Sequence, residues 1–197
     1  MTISIKFLAA LTTAAVLSGC AGTNFKRPEA QSLAVGKSTT ADIARVMGEP
    51  GRPGEVLKNE QKLKTATFVY AEGAGTGRYP GVVPARAMVF STFNDVVVGQ
   101  DFVSSFPQDA TEFDDSKVPS IVKGKSSRKD VLALLGKPSG EAVYPAIKQK
   151  TDTAMLYSYS HARGNAFNMK FYSKSLTVSF GSNDIVSDVE FASAGEK

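Results

Sequence analysis

Cysteine and histidine are nearly absent from this sequence, and tryptophan is absent altogether. Of the 197 residues, one is a cysteine, Cys20, and one is a histidine, His161. A single cysteine excludes an intramolecular disulfide, so a hydrophobic core must stabilise the fold. A single histidine is too little for a zinc site, which needs three or four ligands, and no G-x-S-x-G nucleophile motif accompanies it. We therefore predict a protein that is not an enzyme and that has no catalytic residue, metal site or cofactor.

A complete nucleotide-binding loop is also missing, although four residues resemble the end of one. Residues 36–39 read Gly-Lys-Ser-Thr. The phosphate-binding loop requires a further glycine five residues before Gly36, where this sequence has Gln31, and no hydrophobic strand precedes it. The formal net charge of +4 is spread along the chain. We therefore predict neither a nucleotide nor a nucleic acid as a partner.

The N-terminal segment has the pattern of an export signal. Lys6 precedes an apolar stretch over residues 7–16, which is too short to span a membrane. Leu17-Ser18-Gly19-Cys20 then resembles the lipobox of bacterial lipoproteins, in which the thiol receives the lipid. An ordinary secretory signal with an incidental cysteine is the alternative interpretation. We predict a signal peptide over residues 1–19, lipidation at Cys20 and a membrane anchor through that lipid.

The position after the cysteine bears on the location. In enterobacterial-type sorting an aspartate there retains a lipoprotein in the inner membrane, and this sequence has Ala21. The resemblance therefore implies a lipid-anchored protein of the outer membrane that faces the periplasm. Such a protein would meet other cell-envelope proteins as partners.

One stretch of the sequence occurs twice. GKSTTADIARVMGEP (36–50) aligns with GKSSRKDVLALLGKP (124–138), and all matches lie 88 residues apart. The matched pairs are Gly36 with Gly124, Lys37 with Lys125, Ser38 with Ser126, Asp42 with Asp130, Gly48 with Gly136, and Pro50 with Pro138. A match of this extent indicates a duplicated domain.

Each copy of the repeat predicts a short helix with defined ends. A hydroxyl three residues before an aspartate is a capping-box arrangement, and the residues involved are Thr39 with Asp42 and Ser127 with Asp130. Ser38 and Ser126 are alternative N-caps. Gly48 and Gly136 follow the last turn as C-cap glycines, and a proline then stops the helix.

Three strands are predicted after each helix, from aromatic and β-branched residues in partial alternation. They cover 65–71, 86–93 and 96–106 in the first copy, and 153–160, 175–180 and 185–193 in the second. We predict an α+β fold of two tandem repeats, each with one or two short helices packed on its own three-stranded antiparallel sheet. The predicted divisions are a tether over 20–30, domains over 31–106 and 119–194, and a linker over 107–118.

The repeated motif followed by three strands resembles the SmpA/OmlA (BamE-like) family of outer-membrane lipoproteins. Two such domains in tandem are similar in architecture to β-lactamase inhibitory protein. The first resemblance implies an accessory or structural subunit of an outer-membrane assembly, whereas the second implies an inhibitor of a hydrolase. A peptidoglycan-binding or small-molecule-binding module is a third possibility.

Candidate partner-binding residues lie in two long segments, which we predict to be loops, at equivalent places in the two copies. Residues 72–86 are rich in glycine and proline, and residues 161–174 are rich in aromatic and basic residues. Tyrosine and arginine are typical anchors of protein interfaces. The candidates are Arg78, Tyr79, Arg163, Phe167 and Tyr172. The alternative is that these aromatic residues only cover the core.

Overall fold

A computed structural model describes residues 22–29, 31–73, 77–165 and 167–196. The predicted signal peptide and Cys20 lie outside the described residues. The helices are α1 (Thr40–Met47) and α2 (Arg128–Leu135), with a 3₁₀ helix at Asp115–Ser120. The strands are β1 (Arg52–Lys58), β2 (Gln61–Ala71), β3 (Val82–Val83), β4 (Ala85–Phe93), β5 (Val96–Ser104), β6 (Gly140–Val143), β7 (Thr153–Asn165), β8 (Asn168–Phe180) and β9 (Val186–Gly195).

All of these strands belong to one antiparallel sheet. Its order is β1-β2-β4-β5-β6-β7-β8-β9, and β3 pairs with β7 outside this path. The two copies of the repeat meet where β5 pairs with β6, with Gly99 opposite Ala142. A duplicated sequence has therefore produced two halves of a single sheet.

The predicted fold class is wrong. The chain is mostly β, and it forms one continuous curled sheet rather than helices packed on two small separate sheets. The error comes from two strands that lack a sequence signal. Every residue of β1 is exposed, so no apolar alternation marks that strand, and β6 has only four residues. Because β6 supplies the pairing between the copies, missing it meant missing the joined sheet.

The helices begin and end through their caps. Thr39 Oγ1 accepts a hydrogen bond from the Asp42 amide, and the Asp42 carboxylate accepts one from the Thr39 amide. Ser127 and Asp130 repeat this reciprocal arrangement at α2. The alternative caps lie outside the helices, because Ser38 Oγ accepts from the Ala34 amide and Ser126 Oγ from the Val122 amide.

Both helices cover the same face of the sheet, and the core lies beneath them. Ile43 of α1 packs with Phe68, Phe90 and Phe102 of the first half, and Val131 of α2 contributes to the core of the second half. Side chains alternate between the two faces of a strand, so the residues between these buried positions point to the opposite, uncovered face. That uncovered face is the part of the fold that positions the candidate site.

The described chain begins at the edge of the first core. Phe25 packs edge-on against Phe68 and Phe102, with ring centroids 6.5 and 6.4 Å apart. The Arg27 guanidinium donates to the carbonyl oxygens of Pro138 and Ser139 at 3.0 and 2.8 Å. The segment before α1 therefore contacts both halves of the sheet.

Candidate functional site

The uncovered face of the sheet forms a concave trough. Three adjoining cavities of about 350, 300 and 460 Å³ share lining residues and so form one continuous depression. We call this depression the trough, and its floor residues are Ser91, Gly99, Asp101, Val103, Ser158, Ser160, Ser173, Ser175 and Ala194. The floor is contributed by strands from both copies of the repeat.

The trough exists because the residues on this face are small. Along β8, Leu176 and Val178 are buried beneath α2 and Lys174 is buried against Phe113. Ser173 and Ser175 point to the other side and are exposed. Serine and alanine side chains do not fill the curve of the sheet, so space remains above the strands. Their hydroxyl groups can both donate and accept hydrogen bonds.

A loop over residues 144–152 closes one end of the trough. Ile147 from this loop is buried against Ala142 and Ala154. Asn59, in the turn between β1 and β2, donates from Nδ2 to the carbonyl oxygens of Pro145 and Ile147 at 2.9 and 2.8 Å. The loop is thus held from both halves of the sheet.

One carboxylate lies in the middle of the floor. Ser139 Oγ lies 2.6 Å from Asp101 Oδ1, and the Ser158 amide donates to the same Ser139 oxygen at 2.9 Å. Burial raises the pKa of Asp101, while hydrogen bonds from Ser139 and Ser158 and the charge of Arg27 act in the opposite direction. Asp101 is therefore a partly desolvated acceptor to which a hydrogen-bond donor or a cation can bind.

The segments that carry the predicted partner-binding residues meet at the other end of the sheet. β3 pairs with β7, placing Val82 opposite Arg163. Arg78 and Tyr79 are tied to Glu112, with Arg78 Nε 3.3 Å and Tyr79 Oη 2.6 Å from Glu112 Oε2. The two segments therefore form one surface.

The individual candidates differ in exposure. Phe167 is fully exposed, Tyr79 is half-exposed, and Arg163 is also exposed. Tyr172 is buried on β8, opposite His161, so a partner cannot reach its ring directly. The prediction that residues 161–174 form a loop is wrong for most of that segment, because β7 continues to Asn165 and β8 begins at Asn168.

His161 lies beneath this end of the sheet, between two tyrosines. Its ring centroid is 5.6 Å from that of Tyr159 and 5.5 Å from that of Tyr172. Burial and the neighbouring charge of Arg163 lower the pKa of His161, and Glu112 opposes this shift. Burial also raises the pKa of Tyr159 to about 12. Both side chains are thus held in their uncharged forms near neutral pH.

Within the described part of the chain, no group of three or more histidine, cysteine, aspartate or glutamate side chains could hold a metal ion. Across the same residues, no helix is both long and apolar enough to cross a membrane.

Comparisons with known proteins add little to this geometry. No protein-family model matches the chain, and no curated protein matches it. A solved structure from Streptococcus mutans, described as a "putative beta-lactamase inhibitor protein", is similar to it with a TM-score of 0.41 and 10% identity, over 82% of this chain and 91% of that chain. This gives the predicted resemblance to β-lactamase inhibitory protein a weak structural counterpart. The SmpA/OmlA family finds no support.

The trough was not predicted from the sequence, although the strands that form its floor carry a signal. Ser158 and Ser160 alternate with tyrosines, and Ser173 and Ser175 alternate with Tyr172, Lys174 and Leu176 in the sequence. Such alternation predicts a strand with one buried and one polar face. Nothing in it indicates that the polar faces of distant strands lie side by side, because that depends on the pairing through β6.

Proposed function

We propose that the protein is a lipid-anchored, periplasm-facing lipoprotein of the outer membrane that binds a segment of another cell-envelope protein in the trough. The observation that supports this most is the continuity of the trough across strands of both copies. A depression of this length suits an extended ligand better than a compact one. Binding, rather than catalysis, is its task in this proposal.

The chemistry of the floor favours a polypeptide segment. The serines along β7 and β8 offer hydroxyl groups as donors and acceptors to a peptide backbone, which carries one donor and one acceptor at each residue other than proline. Asp101 adds a carboxylate that can accept from a partner amide or pair with a partner lysine or arginine. In this proposal the hydroxyl groups fix the position of the bound segment along the trough, and the carboxylate favours a partner with a positive charge.

The anchor in this proposal is the lipid at Cys20, as the lipobox-like sequence predicts. The accessory role in an outer-membrane assembly follows from the anchor and the trough together. Metabolic labelling with a fatty acid tests the anchor separately: the native chain is expected to be labelled, and a Cys20→Ser variant is not.

A second candidate function is binding of peptidoglycan or a small molecule, and the hydroxyl-rich lining of the trough favours it. A glycan also presents many donors and acceptors, which serine side chains could satisfy. Sedimentation with purified peptidoglycan, abolished by a substitution in the trough, would favour this candidate over a protein partner. Inhibition of a hydrolase is the remaining alternative; it requires that the captured partner be a hydrolase whose activity falls on binding.

Site-specific photocrosslinking tests where the partner binds. A photoreactive phenylalanine analogue is placed at Ser175, which is exposed on the trough floor, or at Ser120, which is exposed on the 3₁₀ helix. We expect a discrete protein adduct from position 175 in intact envelopes and none from position 120. The adduct is identified by mass spectrometry and the purified pair is tested for binding. Equal adducts from both positions, or adducts from position 120 alone, would refute the proposal.

A further inference from the structure

The far end of the β7–β8 hairpin exposes an apolar row that the sheet does not cover. Phe167 is 100% exposed, Phe171 67% and Met169 38%. Met169 and Phe171 alternate along β8, so their side chains point to the same side, and Phe167 lies in the turn that directly precedes this strand. An exposed apolar row of this kind on a soluble domain marks a contact with a partner or a membrane.

The opposite side of the same hairpin is charged. Lys170 lies directly across from Arg163, and residues directly opposite each other in an antiparallel pair share a face. Met169 and Phe171 are paired instead with Gly164 and Ala162, which have little or no side chain. Residues 161–174 contain no aspartate or glutamate, but Lys170 forms an ion pair with Glu196, which follows β9. The hairpin end is therefore amphipathic, with one apolar face and one charged face.

The chain enters the fold at this same end. A Cβ atom placed on Gly22 would lie 1.9 Å from the carbonyl oxygen of Val69, so the backbone at Gly22 lies directly against β2. Val69 and Phe171 line one cavity of about 460 Å³. The start of the described chain thus lies at the same end of the sheet as Phe171, one member of the apolar row.

The position of Gly22 favours a membrane over a protein partner as the contact of the apolar row. Cys20, the predicted lipidation site, is two residues before Gly22, and two residues span at most about 7 Å. A lipid attached there would hold this end of the molecule at the bilayer surface. The apolar row would then meet the interfacial region, where aromatic side chains are favoured.

We propose that the end of the β7–β8 hairpin inserts into the membrane interface as a second contact beside the lipid anchor, through Phe167, Met169 and Phe171. This inference rests on the lipid anchor of the proposed function. Two contacts, unlike one flexible tether, fix the orientation of the domain on the membrane. The trough, whose open end adjoins this hairpin, would then open close to the membrane surface.

The absence of tryptophan from the chain allows a direct test. Single-tryptophan variants F167W and L57W are purified from membranes and reconstituted into vesicles of phosphatidylethanolamine and phosphatidylglycerol. Leu57 is the matched control, since it is 72% exposed and pairs with Lys62 at the opposite end of β2. We expect the indole of F167W to emit at shorter wavelength in vesicles and to be quenched by lipids brominated on the acyl chains, and the indole of L57W to show neither effect.

Unshifted and unquenched emission of F167W in the vesicle-bound protein would overturn the proposal, and it is the result expected if the hairpin contacts a protein instead. Mass spectrometry of the N-terminal peptide reports separately on lipidation of Cys20. If Cys20 carries no lipid, the anchor of the proposed function fails. The hairpin is then tested by adding the unlipidated F167W protein to the same vesicles, where a shift with quenching supports insertion and its absence refutes it.

Discussion

Ser139 Oγ donates to Asp101 Oδ1 across 2.6 Å, and this hydrogen bond joins the two halves of the sheet at the floor of the trough. Asp101 belongs to β5, in the first copy of the repeat, and Ser139 directly precedes β6, in the second. The Ser139 carbonyl also accepts from the Phe102 amide at 3.0 Å. The same two neighbouring strands thus support both the junction between the halves of the sheet and the carboxylate on the trough floor.

The first prediction concerns the ionisation of Asp101. Burial raises the pKa of Asp101 in the folded state. The protonated side chain therefore contributes fully to stability below the pKa that Asp101 has in the unfolded chain. This contribution is lost as the pH rises through the pKa that Asp101 has in the folded protein. Asparagine keeps an acceptor for Ser139 and does not ionise. We expect Asp101→Asn to increase the free energy of unfolding at pH 7, by about 1.4 kcal/mol for each tenfold change in the acid dissociation constant that burial causes. Below about pH 4 this gain should disappear.

Urea unfolding between pH 3 and pH 8 measures this effect, with Asp188→Asn on the rim of the trough as the control for the loss of one negative charge. A lower stability of Asp101→Asn at pH 7 would contradict the argument. It would mean that the charge of Arg27 outweighs the cost of burying the carboxylate.

The second prediction concerns His161, whose pKa is lowered by burial and by Arg163. The folded state favours the neutral form of His161. The contribution of His161 to stability is therefore present above the pKa that it has in the unfolded chain, and it is lost as the pH falls through the pKa that it has in the folded protein. Since it is the only histidine in the sequence, its imidazole gives a single NMR titration curve. We expect a midpoint below about 6.5, the ordinary value for histidine. An Arg163→Gln variant should move the midpoint upward, and a midpoint above the ordinary value in the native protein would show that Glu112 dominates.

The third prediction concerns the matched caps. Thr39→Ala and Ser127→Ala each remove a hydroxyl that accepts from a first-turn amide, and each is expected to lower the free energy of unfolding by about 1 kcal/mol. Thr40→Ala is the control, because Thr40 is the first residue within α1 and is exposed. Equilibrium urea unfolding measures all three. If Thr40→Ala is as destabilising as Thr39→Ala, the capping role assigned to Thr39 is incorrect.

The local structure could be predicted from the sequence, whereas its assembly could not. The six strands predicted from partial alternation all coincide with observed strands, and the alternation is clearest in β4, where every second residue is buried. The bounds of the helices follow from short-range groups, such as Thr39 with Asp42 and Gly48 at a φ of 79°. All of these signals lie within a few residues of one another.

The joining of the halves rests on contacts that leave no periodic signal. β6 has four residues, and Gly140 lies so close to β5 that a Cβ atom there would be 1.9 Å from the Gln100 carbonyl oxygen. A glycine after Pro138 could only be interpreted as part of a turn. The trough depends on this junction, so neither Asp101 nor the serines of β7 and β8 could be recognised as one site. The domain bounds and the lipid anchor remain predictions.

The central claim is that the trough binds the partner. The most direct test measures the affinity of the partner, once crosslinking has identified it and it has been purified, for the native protein and for two variants. Ser175→Tyr fills the trough from an exposed position on its floor, and Ser120→Tyr makes the same change on the 3₁₀ helix. Isothermal titration calorimetry should give a dissociation constant at least tenfold larger for Ser175→Tyr than for the native protein, which is a loss of about 1.4 kcal/mol in binding free energy. The dissociation constant of Ser120→Tyr should be unchanged. Unchanged affinity of a correctly folded Ser175→Tyr protein would contradict the assignment of the trough as the binding site.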